Sequence, residues 1–257
     1  FSRKYLSWVE TYFYCFFGYA THGLLDACTS YGTQLFWPFS YERISWNNIS
    51  VVDPLLTVPI IIFIIISILK KNKFITLFGV FYIFLYLGIG VVQENRAEKL
   101  GKSIAIMRGH ESKRLTVKPS LGNLFLWKAI YEDNGFYYVD AVRLLSKPEY
   151  CQGTKIKKLD ASNNFMELNQ NSQQFKDIER FNWFSQGYLG VGTQKNIITD
   201  VRYSAVPNEV DGLWGIQINP SKKNFEHVDW VVNRTTYKAK WKRFLDLLLG
   251  KGCKEIT

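Results

Sequence analysis

Residues 74–92, FITLFGVFYIFLYLGIGVV, run for nineteen positions without one charged side chain. About twenty mostly apolar residues are what a helix needs to cross the hydrocarbon core of a bilayer, so this run fixes the class of protein before anything else does. Residues 49–69 make a second such run, interrupted only by Asp53 near its start and by Pro54 and Pro59. Residues 5–25 form a third, richer in aromatics and carrying Glu10 and His22, a composition that suits a tilted or interfacial span. Composition then divides the chain. Residues 1–92 hold six Lys or Arg and four Asp or Glu, whereas residues 93–257 hold 26 and 18, a surplus of eight of the total +10. The expectation is a transmembrane region over residues 1–92, with a motif loop at 21–54, joined to a basic extramembrane domain over 93–257.

Beyond the last span the hydrophobic period changes. Residues 93–108 continue as a helix with Ala97, Leu100, Ile104 and Met107 on one face. Short strands are expected at 115–117, 123–131, 136–144, 155–159, 183–191, 197–203, 214–218 and 228–232, with a hairpin turn at Asp133-Asn134-Gly135. The Asn- and Gln-rich residues 163–176 read as a loop, and 237–250 as a basic amphipathic helix suited to docking on the sheet or to lying on an anionic membrane. The fold class is therefore α+β: transmembrane helices followed by a mostly antiparallel β domain with flanking helices. Lys70, Lys71 and Lys73 between two spans favour the cytoplasmic side, as do Arg3 and Lys4, which sets the motif loop and the β domain outside the cytoplasm. Cys151 and Cys253 can pair if that side is oxidising; spacing alone leaves the pairing open. The basic charge is dispersed and no recognition motif is present, so nucleic acid is not expected as a partner.

The chemistry-bearing residues gather around the motif loop. His22 and Asp26 are four apart, which puts both side chains on one face of a helix. An imidazole and a carboxylate there suit a divalent metal, zinc first among them; the plainer reading is a hydrogen-bonded pair at a helix end. Asp53 is the nearest third ligand, and Asp before Pro is equally a helix N-cap. Arg108-Gly109-His110 fits a helix C-terminus, or an arginine for an anionic group beside a histidine for proton transfer or metal binding. Arg202 has the same double reading, because Asp200 and Arg202 share one face of a strand and can pair.

The run HGLLDACTSYGTQLFWPF from His22, then Trp46, Asp53-Pro54, Arg108-Gly109-His110, Lys118-Pro119-Ser120, Arg180, Trp183, Asp200, Arg202 and Trp214-Gly215, resembles the YdjM-like bacterial inner-membrane proteins described as metal-dependent hydrolases. The resemblance implies a multi-pass inner-membrane protein with a metal-dependent hydrolase activity. The His-x-x-x-Asp pair is also similar to ligands of helical zinc phospholipases, which turns the substrate expectation towards a phosphoester or lipid-linked, anionic molecule. Family members carry an earlier membrane portion with an Asp-rich motif and a His-Arg-Gly-x-Thr-His motif. This chain is then expected to be an N-terminally truncated fragment holding part of the site, with His22, Asp26 and Asp53 towards the metal. His110, Arg108 and Arg202 would close over it. The alternative is a non-enzymatic inner-membrane protein whose β domain binds a regulatory or envelope partner.

Overall fold

The computed structural model describes residues 6–192, 196–233 and 237–255. Arg3 and Lys4, and the side chain of Lys238 on the closing helix, lie outside what is described. The chain divides into two compact units, Phe1–Glu94 with Lys118–Leu124, and Asn95–Val117 with Phe125–Thr257.

In the first unit, α1 (Trp8–Cys28) opens with a reciprocal cap in which Ser7 accepts from the Glu10 amide and Glu10 reaches back to Ser7. α2 (Pro54–Lys70) is shorter than the apolar run suggests. Asp53 caps it and Pro54 takes the first helical position, so residues 49–53 are excluded from the helix. At 17 residues α2 spans about 25 Å. α3 (Lys73–Met107) is 35 residues long, about 52 Å, and runs through the apolar segment and on past it. Among the described residues it is the one helix long and apolar enough to cross a membrane. Two features bind this unit together. A Cβ at Gly90 would collide with the carbonyl of Asn48, so the loop sits directly on α3. The 118–124 turn adds the buried Lys118 ammonium, which donates to the Ser30 carbonyl and to Asn47 Oδ1 at 3.0 and 2.9 Å.

The second unit is built on an antiparallel sheet of nine strands among the described residues. These are β1 (Leu115–Pro119), β2 (Leu126–Asp133), β3 (Phe136–Leu144), β4 (Pro148–Lys158), β5 (Leu189–Val191), β6 (Ile197–Asp200), β7 (Trp214–Gln217), β8 (Asp229–Val232) and β9 (Lys254–Glu255). The first eight lie in sequence order and β9 pairs with β4. Asn134 and Gly135 both take positive φ, 48° and 76°, in the two-residue turn that fixes the β2–β3 register. That register puts Ala129, Tyr131, Tyr138 and Asp140 on one face and Leu126, Lys128, Ile130, Val139 and Ala141 on the other. The first face receives the end of α3, where Gly101 abuts Leu115 and Ala129. The second receives α6 (Tyr237–Leu248), whose Phe244 and Leu247 pack with Leu126, Ala141, Cys151 and Val206. The closing helix is thus docked on the sheet, and Cys151 is disulfide-bonded to Cys253 just beyond it.

One expected strand is much shorter than its sequence suggests. α5 (Gln173–Phe184) replaces the start of the strand expected at 183–191, leaving only β5, and takes over the end of the expected 163–176 loop. A four-residue α4 (Ala161–Asn164) occupies its beginning. Ser172 caps α5, and Phe175, Ile178 and Phe181, three apart, turn its one apolar stripe onto Leu189, Ile198 and Ile216.

Candidate functional site

His22 and Asp26 stand one turn apart near the end of α1, with Nε2 and Oδ2 separated by 3.4 Å. Both side chains are open to the surroundings, 68% and 49% exposed. The helix stops three residues later, where the Thr29 amide and hydroxyl both donate to the Asp26 carbonyl at 3.0 and 2.7 Å. The hydroxyl-rich segment that follows is closed on itself. Thr33 and Ile44 exchange backbone hydrogen bonds, and Arg43 donates to the carbonyls of Tyr31 and Gly32.

Asp53 is committed elsewhere. It is 5% exposed, its Oδ1 caps the Leu56 amide, and the Tyr86 hydroxyl lies 2.9 Å from both carboxylate oxygens. The helix-cap reading therefore describes its contacts, and among the described residues no three of His, Cys, Asp and Glu gather as a metal set. In donor chemistry the His22–Asp26 pair fits a divalent ion; in number it is two of the three or more protein ligands such a site uses.

Arg108 and His110 are brought together in the second unit by the end of α3. Gly109, at φ +72°, ends the helix and turns His110 back towards the sheet. Arg108 grips Asp140 with two parallel hydrogen bonds of 2.6 and 2.8 Å and also donates to the Tyr131 hydroxyl at 3.0 Å. His110 Nδ1 lies 2.9 Å from that hydroxyl, and its ring is 4.5 Å from the ring of Tyr138. Asp140 takes a further bond from the Gly153 amide. Burial works against the Arg108 charge, but the bonds to Asp140 and Tyr131 outweigh it and raise its pKa. An open cavity of about 480 Å³ lies against Arg108, Tyr138, Asp140, Gly153 and Lys155. Asp140, Tyr131 and Lys155 are not singled out by sequence reasoning. The available signal was a lone carboxylate inside the apolar strand FYYVDAVRL.

Arg202 joins a different network. Its Nε and Nη2 hold Asp200, Nη1 reaches Gln186 Oε1 at 2.9 Å, and Nη2 reaches the Phe184 carbonyl at 3.0 Å. The pair expected from strand alternation is present and is about 4% exposed. None of these partners belongs to the Arg108 cluster. The metal-type pair and the arginine clusters fall in different compact units.

A buried lysine adjoins the Asp200 network. Lys128 donates to Ser204 Oγ at 2.7 Å and to the Glu209 carbonyl at 2.8 Å. Burial pushes its pKa down to about 7, against the pull of Asp200, Glu209 and Asp211. A base whose folded pKa is depressed leaves the unfolded chain binding more protons above that pKa, so stability rises with pH there. Between pH 7 and 9 the unfolding free energy is expected to gain about 2 kcal/mol from this group. Denaturant unfolding at the two pH values checks it, with Lys128→Met removing the gain.

A family model described as YdjM inner membrane protein matches residues 1–97 of the chain. No curated protein and no solved structure matches it.

Proposed function

We propose that this chain, whose residues 1–97 match a family model described as YdjM inner membrane protein, is a membrane-bound, metal-dependent hydrolase acting on a phosphoester or lipid-linked substrate. The observation that carries this reading is the His22–Asp26 pair, two metal-type donors 3.4 Å apart and exposed on one helix face. Ionisable groups on a membrane helix are costly unless they serve a polar site. A divalent ion, such as zinc, supplies a water of lowered pKa as nucleophile when bound. The chain's own contribution is to hold His22 and Asp26 in line at a fixed helix end, with Asp53 bracing the start of α2 through Tyr86. In the second unit, His110, its Nδ1 fixed by Tyr131, is the residue proposed to move a proton. Lys155 and Arg108 line the cavity for an anionic group, and Arg202 positions the backbone at Phe184.

The same reading takes α1, α2 and α3 as three passes through the inner membrane. It places the β domain outside the cytoplasm, where the Cys151–Cys253 disulfide is stable. The competing reading is a non-enzymatic membrane protein with a partner-binding β domain. It draws on the commitment of Asp53, Arg108 and Arg202 to internal partners.

Phosphoester-lipid hydrolysis by the full-length protein in bilayers separates the two. His22→Ala and Asp26→Ala are each expected to bring turnover to background. His110→Ala should lower it by about a hundredfold or more. Equal turnover in the wild type and both α1 variants contradicts the hydrolase reading.

A further inference from the structure

Aromatic side chains collect on one edge of the second unit, where soluble domains usually place polar ones. Trp230 on β8 is 61% exposed, and Trp183 and Phe184 at the end of α5 are 45% and 41% exposed. Phe181 meets the Trp230 ring edge-on at 6.1 Å, and Trp183 meets Phe184 in the same manner at 4.8 Å. Between α5 and β8, Phe181, Phe184 and Trp230 border an open groove of about 310 Å³. β8 is the last strand in the sheet order, so among the described residues its outer side is an edge. The loop before it carries Phe225, 73% exposed.

The charges around these rings are unequal. Asp177 is spent on His227, Gln173 and the Val228 amide, and Asp229 is spent on Lys222. Arg180 lies 5.9 Å from the centre of the Phe184 ring and Lys223 lies 5.8 Å from that of Phe225. Neither cation is in a salt bridge among the described residues. Exposed Trp and Phe interleaved with free Arg and Lys is the composition of segments that settle into a phospholipid headgroup layer. The rings enter the acyl boundary while the cations stay with the phosphates. A bilayer is at hand for a chain with a helix long and apolar enough to cross one, and the basic surplus of the domain favours an anionic one.

We propose that the α5–β8 edge, through Trp183, Phe184 and Trp230 with Arg180 and Lys223, is a docking surface for anionic phospholipid. The test uses full-length protein in nanodiscs containing phosphatidylglycerol, with plain or brominated acyl chains, bromine quenching only tryptophans that touch lipid. In plain lipid, Trp183→Leu/Trp230→Leu is expected to remove roughly a quarter of the emission, two of eight tryptophans. In brominated lipid it is expected to remove almost none, because those two are already quenched. Loss of the same absolute emission in both lipids overturns the proposal. Arg180→Glu/Lys223→Glu keeps both tryptophans and should restore their emission in brominated lipid; emission left unchanged by it overturns the electrostatic anchoring and the proposal with it.

Discussion

Arg202→Ala is expected to destabilise the second unit by about 3–5 kcal/mol, the usual cost of leaving a buried charge without its partner. The Asp200 carboxylate would stay behind at about 3% exposure, and the Phe184 carbonyl and Gln186 amide would each lose a donor. A surface ion pair lost in the same way costs about 1 kcal/mol or less, so the magnitude itself reports the burial. Removing both charges, in Asp200→Leu/Arg202→Leu, should cost far less than the single change. The coupling between the two sites is read from a double-mutant cycle of denaturant unfolding. A single-variant loss near 1 kcal/mol would mean that water reaches the pair.

The second large effect concerns the disulfide. Cys151 and Cys253 close a loop with a sequence separation of 102, for which the loss of chain entropy in the unfolded state is worth about 4–5 kcal/mol. Cys151 is also in the core with Phe244 and Leu247, so the bond ties the segment after α6 to the layer that α6 covers. Cys151→Ala/Cys253→Ala should lower the unfolding midpoint sharply, and a reductant should lower that of the wild type to match. Thiol labelling of the protein in intact cells checks the compartment as well. Protection of both cysteines is expected outside the cytoplasm, whereas full labelling would put the domain in a reducing one.

Much of this architecture was legible where local chemistry decides it. The Asp133-Asn134-Gly135 turn announces its hairpin because only such residues accept two successive positive φ values, and the observed β3 matches its expected limits. His22 and Asp26 met as their spacing requires, and so did Asp200 and Arg202. α5 was hidden because its polar sequence offers only Phe175, Ile178 and Phe181 as an apolar stripe. β4 begins at Pro148, seven residues before the expected start, since its first half is held by β3 and β9 rather than by its own pattern. Long-range partners left no trace at all. Nothing local tells that Lys118 fastens the loop 88 residues earlier in the chain, or that Arg108 is claimed by Asp140.

The metal-binding role proposed for α1 rests on its two donors, His22 and Asp26. Elemental analysis of the full-length protein after exchange into metal-free buffer tests it, comparing the wild type with His22→Ala and Asp26→Ala. The wild type should retain a divalent ion and each variant, lacking one of its ligands, should lose most of it. Equal metal content in all three proteins would contradict the account.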